Sequence, residues 1–294
     1  MTLGDYMAAR LKAVDQALNR WVPAETTEPA TIHKAMRYSL FAGGKRIRPL
    51  LAIASAEAVR DEPSGIPSAA CALELIHTYS LIHDDLPALD NDDLRRGRPT
   101  CHKVFGDAMA ILAGDSLLTL AFEVLAKLDQ TTAETRVALI AELATASGTI
   151  GGMIGGQVND IEGENKPPTA ALLESIHRAK TGALLRASVR MGAIFAGANQ
   201  NQLGALTSFG EHAGLAFQIV DDILDVEQPS ETLGKTAGKD AAQHKITFPA
   251  VYGLERSRAM AEQERLAAHA ALESFGPRGS RLKELADLIV RRSS

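Results

Sequence analysis

Two acidic stretches set the terms for this 294-residue chain. The first, from His77 to Arg96, reads H-T-Y-S-L-I-H-D-D-L-P-A-L-D-N-D-D-L-R-R, and the second, from Phe217 to Asp225, reads F-Q-I-V-D-D-I-L-D. Each places carboxylates at the end of an otherwise apolar segment. A lone carboxylate taken out of water loses several kcal/mol or takes up a proton, so carboxylates in such surroundings require cations. Two such clusters in one chain imply a single cation site between them.

In the second stretch, a helical period of ~100° per residue places Gln218, Asp221, Asp222 and Asp225 on one stripe, because they are related by three, four and seven positions. All four are expected to face one cavity. The first stretch is less regular. Asp84 and Asp90 are six residues apart, which leaves them ~120° out of phase on an unbroken helix. Pro87 lies between them and cannot continue a helix without loss of a hydrogen bond, so the helix should end or kink there and let Asp90 return beside Asp84. An all-oxygen set with few protein ligands suits magnesium, whose remaining positions go to water and phosphate.

The acidic segments sit in a helical chain. Ala, Leu, Glu and Arg are abundant and aromatics make up only 4%, a balance that favours helix over strand. An apolar fraction of 46% is ample for a core, and no Pro- or Ser-rich linker divides the chain, so one domain over 1–294 is expected. Helical periodicity marks about 2–20, with Leu3, Met7, Leu11, Val14 and Leu18 on one stripe, then 30–42, 68–86, 107–128, 133–150, 169–196, 202–227, 245–272 and 280–292. An apolar segment covers 50–59. Almost nothing alternates with period two, so the fold class is all-α, a bundle of about ten helices with no strands required. Gly151-Gly152 and Gly155-Gly156 interrupt a helical pattern, where each Gly costs up to ~1 kcal/mol relative to Ala. Close helix contact or a kink explains them, and Gln157 and Asp160 beside them could line a cavity.

The net charge of −5 argues against nucleic acid as the main partner. Cys71 and Cys101 are too few for a disulfide framework and lack zinc spacing, which fits a reducing cytoplasm. Asp5 precedes any apolar run, and Asp115 and Glu123 interrupt the long apolar stretch from Met109. Neither a signal peptide nor a membrane span is therefore expected.

Basic residues complete the pattern: Lys45, Arg46 and Arg48 after Gly43-Gly44, Arg95-Arg96 after the first acidic stretch, Lys180 beside Thr181, and Lys235. Arg binds phosphate through a planar fork and Lys as a point charge, so together they could hold two diphosphates. Singly, each is an ordinary solvated charge, and an Asp pair is an ordinary cap or salt-bridge partner. The combination carries the argument. His77 lies seven residues before Asp84 and shares its stripe; a core histidine and a ligand-binding one both remain open there, as they do for His83.

With these motifs in view, G-G-K-R-I-R-P, the whole His77–Thr100 stretch, H-R-A-K-T-G-A-L and G-L-A-F-Q-I-V-D-D-I-L-D…L-G-K together resemble the trans-isoprenyl diphosphate synthases. The nearest likeness is to the bacterial farnesyl diphosphate synthases, including two extra residues in the first Asp-rich motif, and it runs from about residue 30 to the C-terminus. The resemblance implies an all-α isoprenoid synthase fold around a central active-site cavity, usually as a homodimer. It implies that Asp84 and Asp90 ligate two magnesium ions and Asp221 a third, with manganese able to substitute, while Asp85, Asp222 and Asp225 support them through water or hydrogen bonds. Lys45, Arg48, His77 and Arg96 would hold the diphosphate of isopentenyl diphosphate. Arg95, Lys180 and Lys235 would hold that of the allylic substrate, and Thr181 and Gln218 would turn oxygens toward the developing cation. Lys245 falls in a family-like K-I-T-F-P-A stretch without an assigned role.

The chemistry implied is ionisation, condensation and elimination. Metal and basic residues neutralise the leaving diphosphate, the alkene attacks the allylic cation, and the released diphosphate takes the last proton, since the stripe offers no side-chain base. A dry apolar pocket keeps water from the cation. Product length turns on the helix before Asp84, where Tyr79 and Ser80 lie ~6–7.5 Å below it. Ser80 is about 40° from Asp84 and Tyr79 about 140°, so geometry favours Ser80 as lining, while only Tyr79 is bulky enough to floor a channel. An aromatic at the fifth position before the first Asp resembles the farnesyl pattern, so (E,E)-farnesyl diphosphate is expected, with geranylgeranyl or geranyl diphosphate as alternatives. A class I terpene cyclase would not need the G-G-K-R-I-R segment. A non-catalytic subunit of a heteromeric synthase would tend to lose the Asp-rich motifs, and both are intact.

Overall fold

The computed structural model describes residues 1–164, 166–167, 169–227 and 246–291, and these are helical almost throughout. Leu3–Trp21 opens on a capping box, in which the Thr2 hydroxyl accepts from the Asp5 N–H and the Asp5 carboxylate accepts from the Thr2 N–H. That arrangement satisfies donors that the first helical turn leaves without partners. Two helices behind it are apolar on every side. Ile47–Val59 buries eleven of its thirteen residues, and Ile66–Asp84 buries residues on each of its turns.

Ile66–Asp84 lies between Asp107–Ala126 and Ile47–Val59, and Ile47–Val59 lies in turn on Ala183–Ala196, which packs on Gln200–Glu227. This order brings the end of the helix carrying Asp84 and the C-terminal turns of Gln200–Glu227, which carry Asp221, to one cavity. Asp107–Ala126 is long and apolar enough to cross a membrane. Here its Ala110, Ala113, Leu117, Ala121 and Val124 are wholly buried within the core that Ile66–Asp84 shares.

The expected helices are present, and some are subdivided. The segment read as 169–196 divides into Ala170–His177, a π-helical turn over Arg178–Gly182, and Ala183–Ala196. The segment read as 245–272 contains Phe248–Tyr252 and Leu254–Ala271, separated at Gly253 with φ 79°. Met153–Gly163 is a helix of its own, as is the short Cys101–Phe105. The expectation that no strand is needed is corrected at one place: Leu94–Arg95 pairs antiparallel with Arg98–Pro99. Arg96 and Gly97 between them both have positive φ, 53° and 71°, the mirror-image turn that matches the twist of a two-residue hairpin.

Ile47–Val59 and Ala183–Ala196 cross at close range. The Ser55 hydroxyl donates to the Val189 carbonyl at 2.7 Å, and a Cβ at Gly192 would stand 2.0 Å from the Ala52 carbonyl oxygen. Since Arg48 begins one of these helices and Lys180–Thr181 lies just before the other, this crossing sets how far apart the two basic segments stand. Gly192→Ala is expected to lose about 1–3 kcal/mol in urea unfolding, because backbone must move. Gly204→Ala, where the added methyl meets nothing within 4 Å, should instead gain up to ~1 kcal/mol. Equal effects at the two positions would contradict the crossing.

Candidate active site

Ile66–Asp84 ends at Asp84, two residues short of the expected 86, and the loop after Pro87 folds back over its terminal carbonyls. Asp90 donates its N–H to the Asp84 carbonyl at 2.8 Å, Asn91 to Leu86 at 3.1 Å, and Asp92 to Asp85 at 3.1 Å. Asn91 takes the left-handed conformation, φ 50°, to make that return. The loop thus supplies N–H donors to carbonyls that a helix C-terminus otherwise leaves without partners and sets Asp90 against Asp84.

A cavity of about 770 Å³ opens there. Asp84 and Asp221 line it from opposite helices, joined by Gln218 from the second. Burial pushes the Asp84 carboxyl up to about 6, with neighbouring Asp90 adding to the rise and Lys180 and Arg95 opposing it. The expected stripe of four is corrected. Of Gln218, Asp221, Asp222 and Asp225, only Gln218 and Asp221 reach the cavity, while Asp222 and Asp225 are buried away from its lining. Asp222 accepts from Gln218 Nε2 at 2.8 Å and from the Phe248 N–H at 2.9 Å. Asp85 is likewise turned from the cavity, in a bidentate pair with Arg95 at 2.6–2.9 Å. Arg95 still borders the cavity, with Nε and Nη2 committed to Asp85.

Cations occupy the neighbouring wall. Lys45, Arg48, Arg95 and Arg96 line the cavity around His77. Burial, then Arg48, Arg96, Arg95 and Arg46, hold the His77 imidazole well below the usual histidine range, so it is neutral. Arg96 donates to the Gly43 carbonyl and lies against Gly44, which ties the hairpin tip to the glycine turn. His77 and Asp84 are seven residues apart on one helix, ~10.5 Å along its axis. Arg95 stands close enough to influence both.

Lys180 and Thr181 reach the cavity from the π-helical turn, a local widening common at functional sites. Lys180 Nζ donates to Asp160 at 2.6 Å. Of the glycines before Gln157, Gly156 admits the close approach of this turn, since a Cβ there would lie 2.1 Å from the Lys180 backbone nitrogen, whereas a Cβ at Gly155 would meet the Thr149 carbonyl oxygen at 1.8 Å. Gln157 lines the cavity, and Asp160 pairs with Lys180. Leu89, Met153, Ile154, Val158 and Phe217 supply apolar lining. Tyr79 and Ser80 both border the cavity, with the Tyr79 ring edge-on to His83 at 5.7 Å. Lys235 and Lys245 lie outside the described residues.

Among the described residues no three acidic, imidazole or thiol side chains stand close enough to enclose a metal alone. The donors present fit a hard cation that also takes oxygens from its ligand: hard carboxylates at Asp84 and Asp221, with Asp84 held at a raised proton affinity by burial. Sequence reasoning passed over the pair that fixes the basic loop. Arg46, left-handed at φ 49°, donates to Glu74 at 2.7 Å and to the Leu40 carbonyl at 2.6 Å, with both side chains almost wholly buried. A lone Glu in the apolar run A-A-C-A-L-E-L-I-H was the available signal.

The chain matches the polyprenyl synthetase family model over residues 29–280. It is 47% identical to farnesyl diphosphate synthase of Geobacillus stearothermophilus, over 99% of this chain and 98% of that one. To the chloroplastic heterodimeric geranylgeranyl pyrophosphate synthase large subunit 1 of Arabidopsis thaliana it is 51% identical, over 88% of this chain and 70% of that one. It also superposes on a geranyltransferase from Helicobacter pylori, crystallised with magnesium and isoprenyl diphosphate, with TM-score 0.84 and 33% identity over 97% of this chain and 96% of that one.

Glu74→Ala is expected to cost about 3–5 kcal/mol, because it leaves the Arg46 charge buried without its carboxylate. Replacing both partners by apolar residues should cost less than the single change. Chemical denaturation of the two variants checks this; a single variant within about 1 kcal/mol of the unmodified protein would contradict it.

Proposed function

The chain belongs to the polyprenyl synthetase family and is a trans-prenyl diphosphate synthase, and we propose that it condenses isopentenyl diphosphate head to tail with dimethylallyl and then geranyl diphosphate to give (E,E)-farnesyl diphosphate. One observation carries this reading: a single cavity holds a carboxylate neighbourhood at Asp84 and Asp221 beside a cationic one around His77. A diphosphate needs cations, and two diphosphates in one cavity need two such neighbourhoods.

In this reading Asp84, Asp90 and Asp221 would hold magnesium, as many as three ions, with manganese able to replace it. Magnesium supplies positive charge that neutralises the allylic diphosphate as it departs. Lys45, Arg48 and Arg96 bind the diphosphate of isopentenyl diphosphate, and neutral His77 can donate a hydrogen bond to it without adding charge. Lys180 and Arg95 bind the allylic diphosphate, each held by a carboxylate, Asp160 or Asp85, that fixes its direction. Lys235 would join them from outside the described residues. As the carbon–oxygen bond breaks, its electron pair leaves with diphosphate, and the oxygens of Thr181 and Gln218 face the carbon left positive. The alkene carbon of isopentenyl diphosphate attacks there, and diphosphate accepts the proton lost to restore the double bond. The apolar lining excludes water during that interval. Asp85, Asp222 and Asp225 act from behind the cavity wall.

The protein would work in the cytoplasm as a homodimer, a state that sedimentation measures directly. For product length, Tyr79 is the bulky aromatic that the helix ending at Asp84 sets on the cavity wall. Its buried hydroxyl has no hydrogen-bond partner among the described residues, and burial, with Asp84 nearby, pushes it up to about 12. Such a group is suited to blocking hydrocarbon rather than binding a polar ligand. Twenty carbons is the second reading, favoured by the identity to the Arabidopsis relative. Incubation with isopentenyl and dimethylallyl diphosphates plus magnesium, followed by chromatography, is expected to give the fifteen-carbon product, and Tyr79→Ala should move output to twenty carbons or more. Twenty carbons from the unmodified protein, or no lengthening in the variant, would contradict the role of Tyr79; no condensation product would contradict the function itself.

A further inference from the structure

We propose that Asp222 is a positioning residue whose carboxylate decides which end of the Gln218 amide faces the cavity. The inference rests on the condensation reading above. Gln218 and Asp222 stand one turn apart on Gln200–Glu227, yet Gln218 lines the cavity whereas Asp222 is 3% exposed and does not. Both carboxylate oxygens are engaged within the protein. Oδ1 accepts from Gln218 Nε2 at 2.8 Å. Oδ2 accepts from the Phe248 N–H at 2.9 Å and lies 3.3 Å from His177 Nε2, whose ring stacks on Phe248.

The consequence follows from donor and acceptor chemistry. An ionised carboxylate only accepts, so the glutamine must turn its NH2 group inward. The carbonyl end is then left toward the cavity. Oxygen and NH2 are nearly equal in size, so shape alone would not choose between them. Their dipoles differ in sign: a carbonyl oxygen aimed at a carbon losing diphosphate stabilises the positive charge that develops, and an NH2 group aimed there opposes it. Asp222 therefore contributes through the orientation of Gln218, while the Phe248 N–H keeps Asp222 itself in place.

Asp222→Asn preserves shape and reverses this logic. The Phe248 N–H still requires an acceptor, so the new amide gives its oxygen to Phe248 and its NH2 to Gln218, which must then accept and turn its own NH2 to the cavity. Two probes read the change in the presence of magnesium: an allylic-chain diphosphate with a trialkylammonium nitrogen in place of the branched alkene carbon, and its neutral carbon isostere. Asp222→Asn should reduce the preference for the ammonium probe at least about tenfold while changing affinity for the neutral probe less than about threefold, and should lower kcat with little change in KM. Adding Gln218→Glu to Asp222→Asn exchanges donor and acceptor at constant net charge and should restore the preference. Retained preference in Asp222→Asn, equal weakening of both probes, or failure of the double variant to recover would overturn the inference. An unmodified protein that makes no condensation product would remove the underlying reading, a result distinct from an active protein whose Asp222→Asn variant keeps its preference.

Discussion

A half-buried carboxylate left short of positive charge is the interaction on which the rest of this structure depends. Asp84 terminates a helix with buried residues on each turn, and burial with Asp90 outweighs Lys180 and Arg95 to push its carboxyl up to about 6. At neutral pH the folded protein therefore holds an ionised group that the unfolded chain would hold more easily. Much of the surrounding architecture can be understood as fixing that group in place: the loop that returns Asp90 to the Asp84 carbonyl, and the hairpin that sends Arg95 back to Asp85. The cavity is formed by rigid helix ends, with its polar groups aimed by partners behind the wall.

The same arrangement recurs around the cavity. Lys180 is held by Asp160, Arg46 by Glu74, Arg95 by Asp85 and Gln218 by Asp222. Each partner is a carboxylate, and it orients a group while moderating the local positive charge. A cavity that gathers four arginines around a neutral histidine would otherwise repel its own lining. Buried pairs of this kind gain little net stability from Coulomb attraction, because desolvation offsets it. Their contribution is direction.

Most of the polar cavity lining was legible in the sequence, and less of what lies behind it. Lys45, Arg48, His77, Tyr79, Ser80, Asp84, Arg95, Arg96, Lys180, Thr181, Gln218 and Asp221 all border one cavity, since charges in apolar helices and an interrupting proline leave a visible pattern. Asp222 was misplaced because a stripe ~100° wide cannot distinguish a group facing the cavity from one turned to a neighbouring backbone N–H. That N–H belongs to Phe248, twenty-six residues on. The π-helical turn at Arg178–Gly182 and the hairpin at Leu94–Pro99 were also missed. The first lies against Gly156 of another helix within a pattern that reads as continuous helix, and the second is a pair of two-residue strands too short to show a period of two. Glu74 was legible as a lone acid and was passed over because its partner lies twenty-eight residues away.

The central claim is that the fold bears a stability cost at Asp84 to bind cations. The direct test is the melting midpoint of Asp84→Asn beside the unmodified protein at pH 8, with and without magnesium and inorganic diphosphate. The folded carboxyl titrates near 6, above its unfolded value, so the protonated form is favoured in the folded state and that stability is lost as pH rises through about 6. Without metal, the variant should therefore melt higher than the unmodified protein at pH 8, with the gap closing as pH falls toward 4. With magnesium and diphosphate the order should reverse, because ligands that bind only the folded state raise its stability and the variant has lost a binding group. A variant that melts lower without metal, or one that magnesium and diphosphate stabilise as much as the unmodified protein, would contradict the account.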